Sequence, residues 1–132
     1  MREIKFRGHN GEKWLYGNLD IDYKTNQAAI SDDRWWRHPV RFNTVGQFTG
    51  LCDCKGEEIY EGDVLDCKPS PLYLRLYERL IAPVVYSDDG FVVDLKHAKI
   101  SLWAVLHQDP KCRVVGNVYD NPELLEENNA RD

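Results

Sequence analysis

From Val45 to Leu65 the chain sets Gly46, Gly50, Gly56 and Gly62 among apolar and β-favouring residues, and this run limits the fold more than any other stretch. Each glycine inside a helix costs about 1 kcal/mol relative to alanine, so a helix is disfavoured here. Phe48, Thr49 and Leu51 read as a strand. Asp53-Cys54-Lys55-Gly56 then reads as a tight turn, with glycine where a positive φ is tolerated. Ile59-Tyr60 leads into a second reversal at Glu61-Gly62-Asp63, and Val64-Leu65 opens another strand. Two bends this close fold a sheet sharply onto itself. No G-x-G-x-x-G or G-x-x-x-x-G-K-[ST] spacing is present, so the glycines are turn elements and not a phosphate cradle.

The flanking segments carry the same signature. Glu3 to Arg7 alternates charged with apolar residues, Asn10-Gly11 favours a type I′ hairpin turn, and Trp14 to Ile21 is the return strand. On it Leu15, Leu19 and Ile21 share one face and Trp14 and Tyr16 the other. Gln27 to Ile30 is a further short strand, closed by Ser31-Asp32-Asp33, whose side chains bond their own backbone. The adjacent carboxylates Asp32 and Asp33 diverge into solvent in such a turn, which argues against a catalytic pair. Val64 to Lys68 extends until Pro69 and Pro71 interrupt it. Leu72, Leu76 and Leu80 then recur at helical spacing, while Leu72, Leu74 and Leu76 alternate as in a strand, and both readings stand. Val84-Val85-Tyr86 and Phe91-Val92-Val93 form a hairpin about Asp88-Asp89-Gly90. Residues 96–106 are ambiguous, with Ile100, Trp103 and Leu106 candidates for the core. Arg113 to Tyr119 is a closing strand with a bulge at Gly116. Asn121 and Pro122 then mark a helix start, Glu123 sits at the positive end of its dipole, and Leu124 and Leu125 dock it. The polar end frays.

At 132 residues the chain has the size of one domain, expected to span 1–132. Seventeen basic against 22 acidic residues give a formal charge of -5, so no global field draws it to nucleic acid or an anionic membrane. The first residues lack an apolar signal region and the apolar run from Leu80 to Tyr86 is short and broken by Pro83, so a soluble, intracellular, cytoplasmic protein is expected. Thiols in that compartment stay reduced, which disfavours disulfides among Cys52, Cys54, Cys67 and Cys112. Cys52-x-Cys54 is not a C-x-x-C metal spacing, and a metal there would need Cys67, Cys112 or a histidine as further ligands. The plain reading makes Cys67 and Cys112 small apolar strand residues and places Cys52 and Cys54 on a hairpin. No metal and no cofactor are expected.

One segment stands apart from the acidic whole. Arg34-Trp35-Trp36-Arg37-His38-Pro39-Val40-Arg41-Phe42 interleaves three arginines with three aromatics. Such a mixture stacks on bases while pairing with phosphates, or anchors a protein partner, or packs its tryptophans onto the protein's own sheet while the arginines stay wet. Arg34, Trp35, Trp36, Arg37 and Arg41 are therefore the candidate binding residues, with Arg2, Lys5 and Arg7 adding charge if they share a face. No nucleophile elbow, phosphate loop or H-E-x-x-H appears, and no enzyme is expected. A catalytic cluster would have to be assembled from distant residues such as Asp63, His97, His107 and Cys112.

Four blocks carry a family resemblance: Met1 to Arg7, Gln47 to Leu51, Glu58 to Val64, and Val115 to Leu125. Together, in this order, they resemble the YopX family of small phage and prophage proteins. The resemblance implies a mostly β fold containing a small closed or partly open β-barrel, with one or two short helices including a C-terminal one. It also implies a phage or prophage origin, and no established biochemical activity or catalytic residues to carry over. Cys52 and Cys54 fall where the family pattern has other polar residues. The expected partner is a host or phage protein, with nucleic acid the alternative and no membrane; a homo-oligomer is compatible with the sequence.

Overall fold

A computed structural model describes residues 3–68, 80–88, 90–95 and 98–130. The chain divides into two compact units, Met1–Gly50 and Leu51–Asp132.

In the first unit β1 (Phe6–His9), β2 (Trp14–Asp22), β3 (Gln27–Ser31) and β4 (Arg37–Val40) form an antiparallel meander. β5 (Gly46–Cys52) pairs with the free side of β1, giving the order β4-β3-β2-β1-β5. Leu15, Leu19 and Ile21 do share a face, and with Phe6 and Val45 they pack against Ala28, Ile30 and Val40. Gly17 continues that face at φ +157, where a side chain would run into the Ser31 carbonyl of β3. The β1–β2 reversal departs from the expected type I′ turn. Residues 10–13 separate the strands, and Asn10 Oδ1 accepts the N–H groups of Glu12 (2.8 Å) and Lys13 (2.9 Å). The Asx side chain thus adds two bonds to the backbone one from Asn10 N–H to Lys13 O (3.1 Å).

The second unit contains β6 (Glu58–Tyr60), β7 (Asp63–Cys67), β8 (Leu80–Ser87), β9 (Gly90–Leu95), β10 (Ala98–Ser101), α1 (Leu102–Gln108), β11 (Arg113–Asn117) and α2 (Glu123–Ala130). Its main sheet runs β10-β9-β8-β7-β11. Both expected reversals are present. Gly56, at φ +81, donates its N–H to Asp53 O (3.0 Å), and the Tyr60 N–H donates to Asp63 Oδ2 (2.7 Å). The bulge is present too, as a register shift between Val114 and Gly116. α2 starts directly behind Pro122, with Leu124 and Leu125 half-buried, and packs against β8.

Some expectations change. Among the described residues neither sheet closes on itself: β4 is an edge of the first, and β10 and β11 are the edges of the second. Of the closed or partly open barrel that was expected, the closed form is therefore absent among the described residues, since closure needs the last strand to bond the first. Over 96–106 the chain is a strand and then a helix, residues 96 and 97 lying outside the described part. Leu102 and Val105 of α1 are buried and Ile100 and Leu106 pack against the core, but Trp103 faces out at 57% exposure. Helical spacing puts 102, 105 and 106 on one side and 103 on the other. The Leu72–Leu76 question falls outside the described residues, while Leu80 and Ile81 belong to β8. Asp89 is likewise outside, though the Ser87–Gly90 pairing closes the expected hairpin.

The cysteines also differ from expectation. Cys67, the last residue of β7, and Cys112, immediately before β11, are joined by a disulfide with Cα atoms 4.5 Å apart. The pairing of Asp66 with Arg113 brings the two opposite each other, both turned into the core. Cys52 and Cys54 are free and exposed, as the hairpin reading requires. Among the described residues no helix is long and apolar enough to cross a membrane.

Two stability predictions follow from these contacts. Gly17→Ala should lower the unfolding free energy by roughly 1–3 kcal/mol, as overpacking against fixed backbone does. Reducing the disulfide, which closes a loop with a sequence separation of 45, should cost about 4 kcal/mol by chain entropy. Guanidinium unfolding in chelator-containing buffer, with and without reductant, reads both through the transition midpoint.

Candidate functional site

The Arg/Trp-rich segment is the tip and return arm of the β3–β4 hairpin. Ser31 pairs with Arg37, and residues 32–36 bridge them. The bridge is held almost entirely by Asp32. Its N–H donates to Trp36 O (3.1 Å), its carbonyl accepts the Trp35 N–H (3.0 Å), and Oδ1 accepts the N–H groups of Arg34 (2.9 Å) and Trp36 (3.1 Å). The other carboxylate oxygen lies 3.1 Å from His38 Nε2 on β4. That contact is the main reason the Asp32 carboxyl titrates below its ordinary value, with the two backbone N–H bonds adding to it.

This clamp has an effect on the tryptophans. Trp35 is held at φ +66, a left-handed backbone that costs a bulky residue roughly 1–3 kcal/mol. Trp35 and Trp36 are 78% and 66% exposed, so their burial against the sheet, one of the sequence alternatives, does not occur. Two large aromatic surfaces are displayed to solvent from a backbone that bonding, not packing, keeps in place.

The arginines do not gather around them. Arg37 lies at the start of β4 and its Nη2 is 2.8 Å from Asp20 Oδ2 on β2, an exposed ion pair. Arg41 follows β4, donates its N–H to His9 O (2.8 Å), and lays its guanidinium by Gly11. Arg34 remains at the tip, exposed beside the tryptophans. The auxiliary cations are elsewhere as well. Lys5 lies over the Phe48 ring (5.0 Å) and 3.4 Å from Glu3, and Arg7 is buried 4.6 Å from the Trp14 ring centroid, while Arg2 is outside the described residues. A surface groove of about 410 Å³ runs beside the hairpin, lined by Asp22, Asn26, Gln27, Ala28, Ala29, Arg37, Pro39 and Val40. Pro39 lacks an N–H on this edge strand, which blunts the edge as a template for an added strand.

In the second unit, the residues named as a remote catalytic cluster serve separate purposes. Asp63 holds the Tyr60 N–H, Cys112 is in the disulfide, His107 stacks on Trp103 at 3.7 Å between ring centroids, and His97 lies outside the described residues. Three buried polar residues do more: Asp53, expected only as a turn residue, and Asp109 and Asn117, for which the sequence suggests no role. Asp53 Oδ1 accepts the N–H groups of Lys55 and Glu57 (2.9 Å each) and its Oδ2 accepts Val114 N–H (3.0 Å). Asp109 takes Lys111 N–H on Oδ1 (2.9 Å) and Lys68 N–H on Oδ2 (2.7 Å). Asn117 Oδ1 accepts the N–H groups of Tyr119 (3.0 Å) and Asp120 (2.8 Å). The local bonds, with an Asp or Asn two to four residues before the donor, are readable in sequence; the long-range bonds of Asp53 and Asp109 are not.

The fold and tip define a small, mostly β, two-sheet protein with a displayed aromatic hairpin. Residues 5–126 match the YopX protein family, and the chain belongs to that family. Its fold is similar to that of protein EF1440 from Enterococcus faecalis, with a TM-score of 0.60 and 22% identity over 95% of this chain and 99% of that one. No curated protein matches the sequence.

The Asp32 clamp predicts a local response. Asp32→Ala should release the Arg34 and Trp36 amides to solvent, seen as faster hydrogen exchange there with the β2–β3 amides unchanged. Acid should do the same. A carboxylate with a depressed folded-state pKa contributes fully above its unfolded value and loses that contribution as the pH falls through the folded one. The Arg34 and Trp36 amide shifts should therefore be flat at neutral pH and move only below the usual carboxylate range.

Proposed function

We propose that this protein is a non-enzymatic binding module of phage or prophage origin, which contacts a host or phage protein through the Trp35-Trp36 hairpin tip. The observation that carries this reading is the display of both tryptophans on backbone held in a left-handed conformation. Folding gains nothing from leaving two indoles in water, and Trp35 adds backbone strain; strain of this kind is characteristic of contact and ligand sites. Tryptophan with arginine is also the usual composition of a binding anchor, here Trp35, Trp36 and Arg34.

Nucleic acid is the weaker fit. Phosphate tracking needs several cations along one groove, whereas Arg37 is paired with Asp20 and Arg41 is drawn to the Asn10-Gly11 turn. The acidic whole adds no compensating field. The geometry favours a few aromatic contacts with a protein surface over a backbone-following groove.

Trp35→Gly separates the two roles of the tip. Glycine suits φ +66, so this variant should melt at or above the temperature of the unchanged protein. It should nevertheless lose partners captured from a lysate of the host, as should Trp35→Ala/Trp36→Ala. Unchanged capture by both variants would reject the tip as the contact surface. Saturable binding of short DNA or RNA, weakening steeply with salt and lost in both variants, would assign the tip to nucleic acid instead.

A further inference from the structure

The residues around the disulfide hold more chemistry than a covalent staple requires. Cys67, Asp109 and Cys112 come from three places in the second unit: the end of β7, the C-terminal end of α1 and the residue before β11. All three are buried, and their two sulfurs and a carboxylate oxygen lie within 4.8 Å of one another. We propose that, with the disulfide reduced, these three side chains bind one thiophilic divalent cation, of the Zn²⁺ or Co²⁺ class.

Donor type is the first reason. Two thiolates and a carboxylate match a borderline-soft cation that prefers four-coordinate sites of sulfur, nitrogen and oxygen. The second is that the donors are gathered by backbone, independently of the sulfur–sulfur bond. Asp66 opposite Arg113 and Leu65 opposite Val114 fix the register that sets residue 67 against residue 112. Two backbone N–H groups, from Lys68 and Lys111, orient the Asp109 carboxylate, as outer partners orient metal-ligating carboxylates. Each oxygen keeps a lone pair for a metal. The set therefore stays assembled when the bond is cut.

The third reason is electrostatic. Reduction leaves two thiols beside a carboxylate in a buried place, where negative charge on sulfur is disfavoured unless a cation balances it. A divalent cation supplies that balance. A surface groove of about 330 Å³ lined by Asp66, Lys68, Asp109, Lys111 and Arg113 brings solvent to the Asp109 side of the set. A tetrahedral dithiolate site holds its sulfurs roughly 3.7 Å apart, given Zn–S bonds of about 2.3 Å, so side-chain rotation must part them.

The chemistry balances once an external thiol reductant is supplied. Two reductant thiols give two electrons and two protons to the Cys67–Cys112 bond and are joined as a disulfide, leaving two protein thiols. The cation then displaces their two protons to form two metal–sulfur bonds. Oxidised and metal-bound forms exclude each other.

Cobalt titration of the full chain, reduced and kept anaerobic, tests this. The Cys52→Ser/Cys54→Ser background removes the exposed thiols. Expected are one equivalent bound, a thiolate-to-cobalt charge-transfer band with tetrahedral d–d absorption, displacement by Zn²⁺, and no band with oxidised protein. Asp109→Asn should weaken binding at least tenfold, and Cys67→Ser or Cys112→Ser should abolish the band. Circular dichroism identifies any variant that fails to fold; the oxidised chain and Asp109→Asn then serve as the comparison. The proposal fails if reduced protein shows no band. It fails equally if binding survives Cys67→Ser/Cys112→Ser, is lost with the exposed cysteines, or is unaffected by Asp109→Asn.

Discussion

The second unit hangs on the carboxylate of Asp53. It accepts three backbone N–H groups, two from its own turn at Lys55 and Glu57 and one from Val114 on β11, 61 residues further on. A buried carboxylate is expensive unless such donors surround it, and here they also join the tip of one hairpin to the edge of the main sheet. The neighbouring Cys54 N–H donates to Cys112 O (3.1 Å), extending the same seam. With the seam in place, the Asp66–Arg113 register follows, and with it the meeting of Cys67 and Cys112.

A common device recurs in both units. Asn10, Asp32, Asp53, Asp109 and Asn117 each turn a short polar side chain onto nearby N–H groups, ending a strand or shaping a bend without helical capping. Glycine supplies conformations and these residues supply bonds. Where the two coincide, as at Asp53 and Gly56, the turn is specified twice. At the Asp32 bend there is no glycine, and the strain falls on Trp35.

This division explains what could be read from the chain. Turn chemistry and alternation are local, so the reversals at residues 53–56 and 61–63, the shared face of Leu15, Leu19 and Ile21, the Gly116 bulge and a helix beginning just behind Pro122 are all legible. β4 is not, because arginine, histidine and proline carry no strand periodicity; only its pairing with β3 makes it a strand. Hydrophobicity makes Trp103 a candidate for the core, whereas helical spacing turns it out against His107. Compartment alone disfavours the disulfide, but proximity is set by a ladder between residues far apart in sequence, which no local pattern announces. The Arg/Trp mixture of the hairpin is likewise visible in the sequence, while the separation of its residues in space, with Arg37 on Asp20 and Arg41 by Gly11, is not.

That separation decides how the first unit can work. Had the three arginines and two tryptophans converged, the surface would suit an extended anion. Instead Arg37 is paired with Asp20 and the Arg41 guanidinium lies by Gly11, and what faces solvent at the tip is a pair of indoles with Arg34, on a bend that bonding keeps ordered. Order matters here because a mobile pair of tryptophans would lose rotamer and backbone freedom on contact, offsetting part of the free energy gained from burying them. A clamp that has already met that cost during folding leaves the aromatic area available to a partner, and the proposed contact role rests on that order.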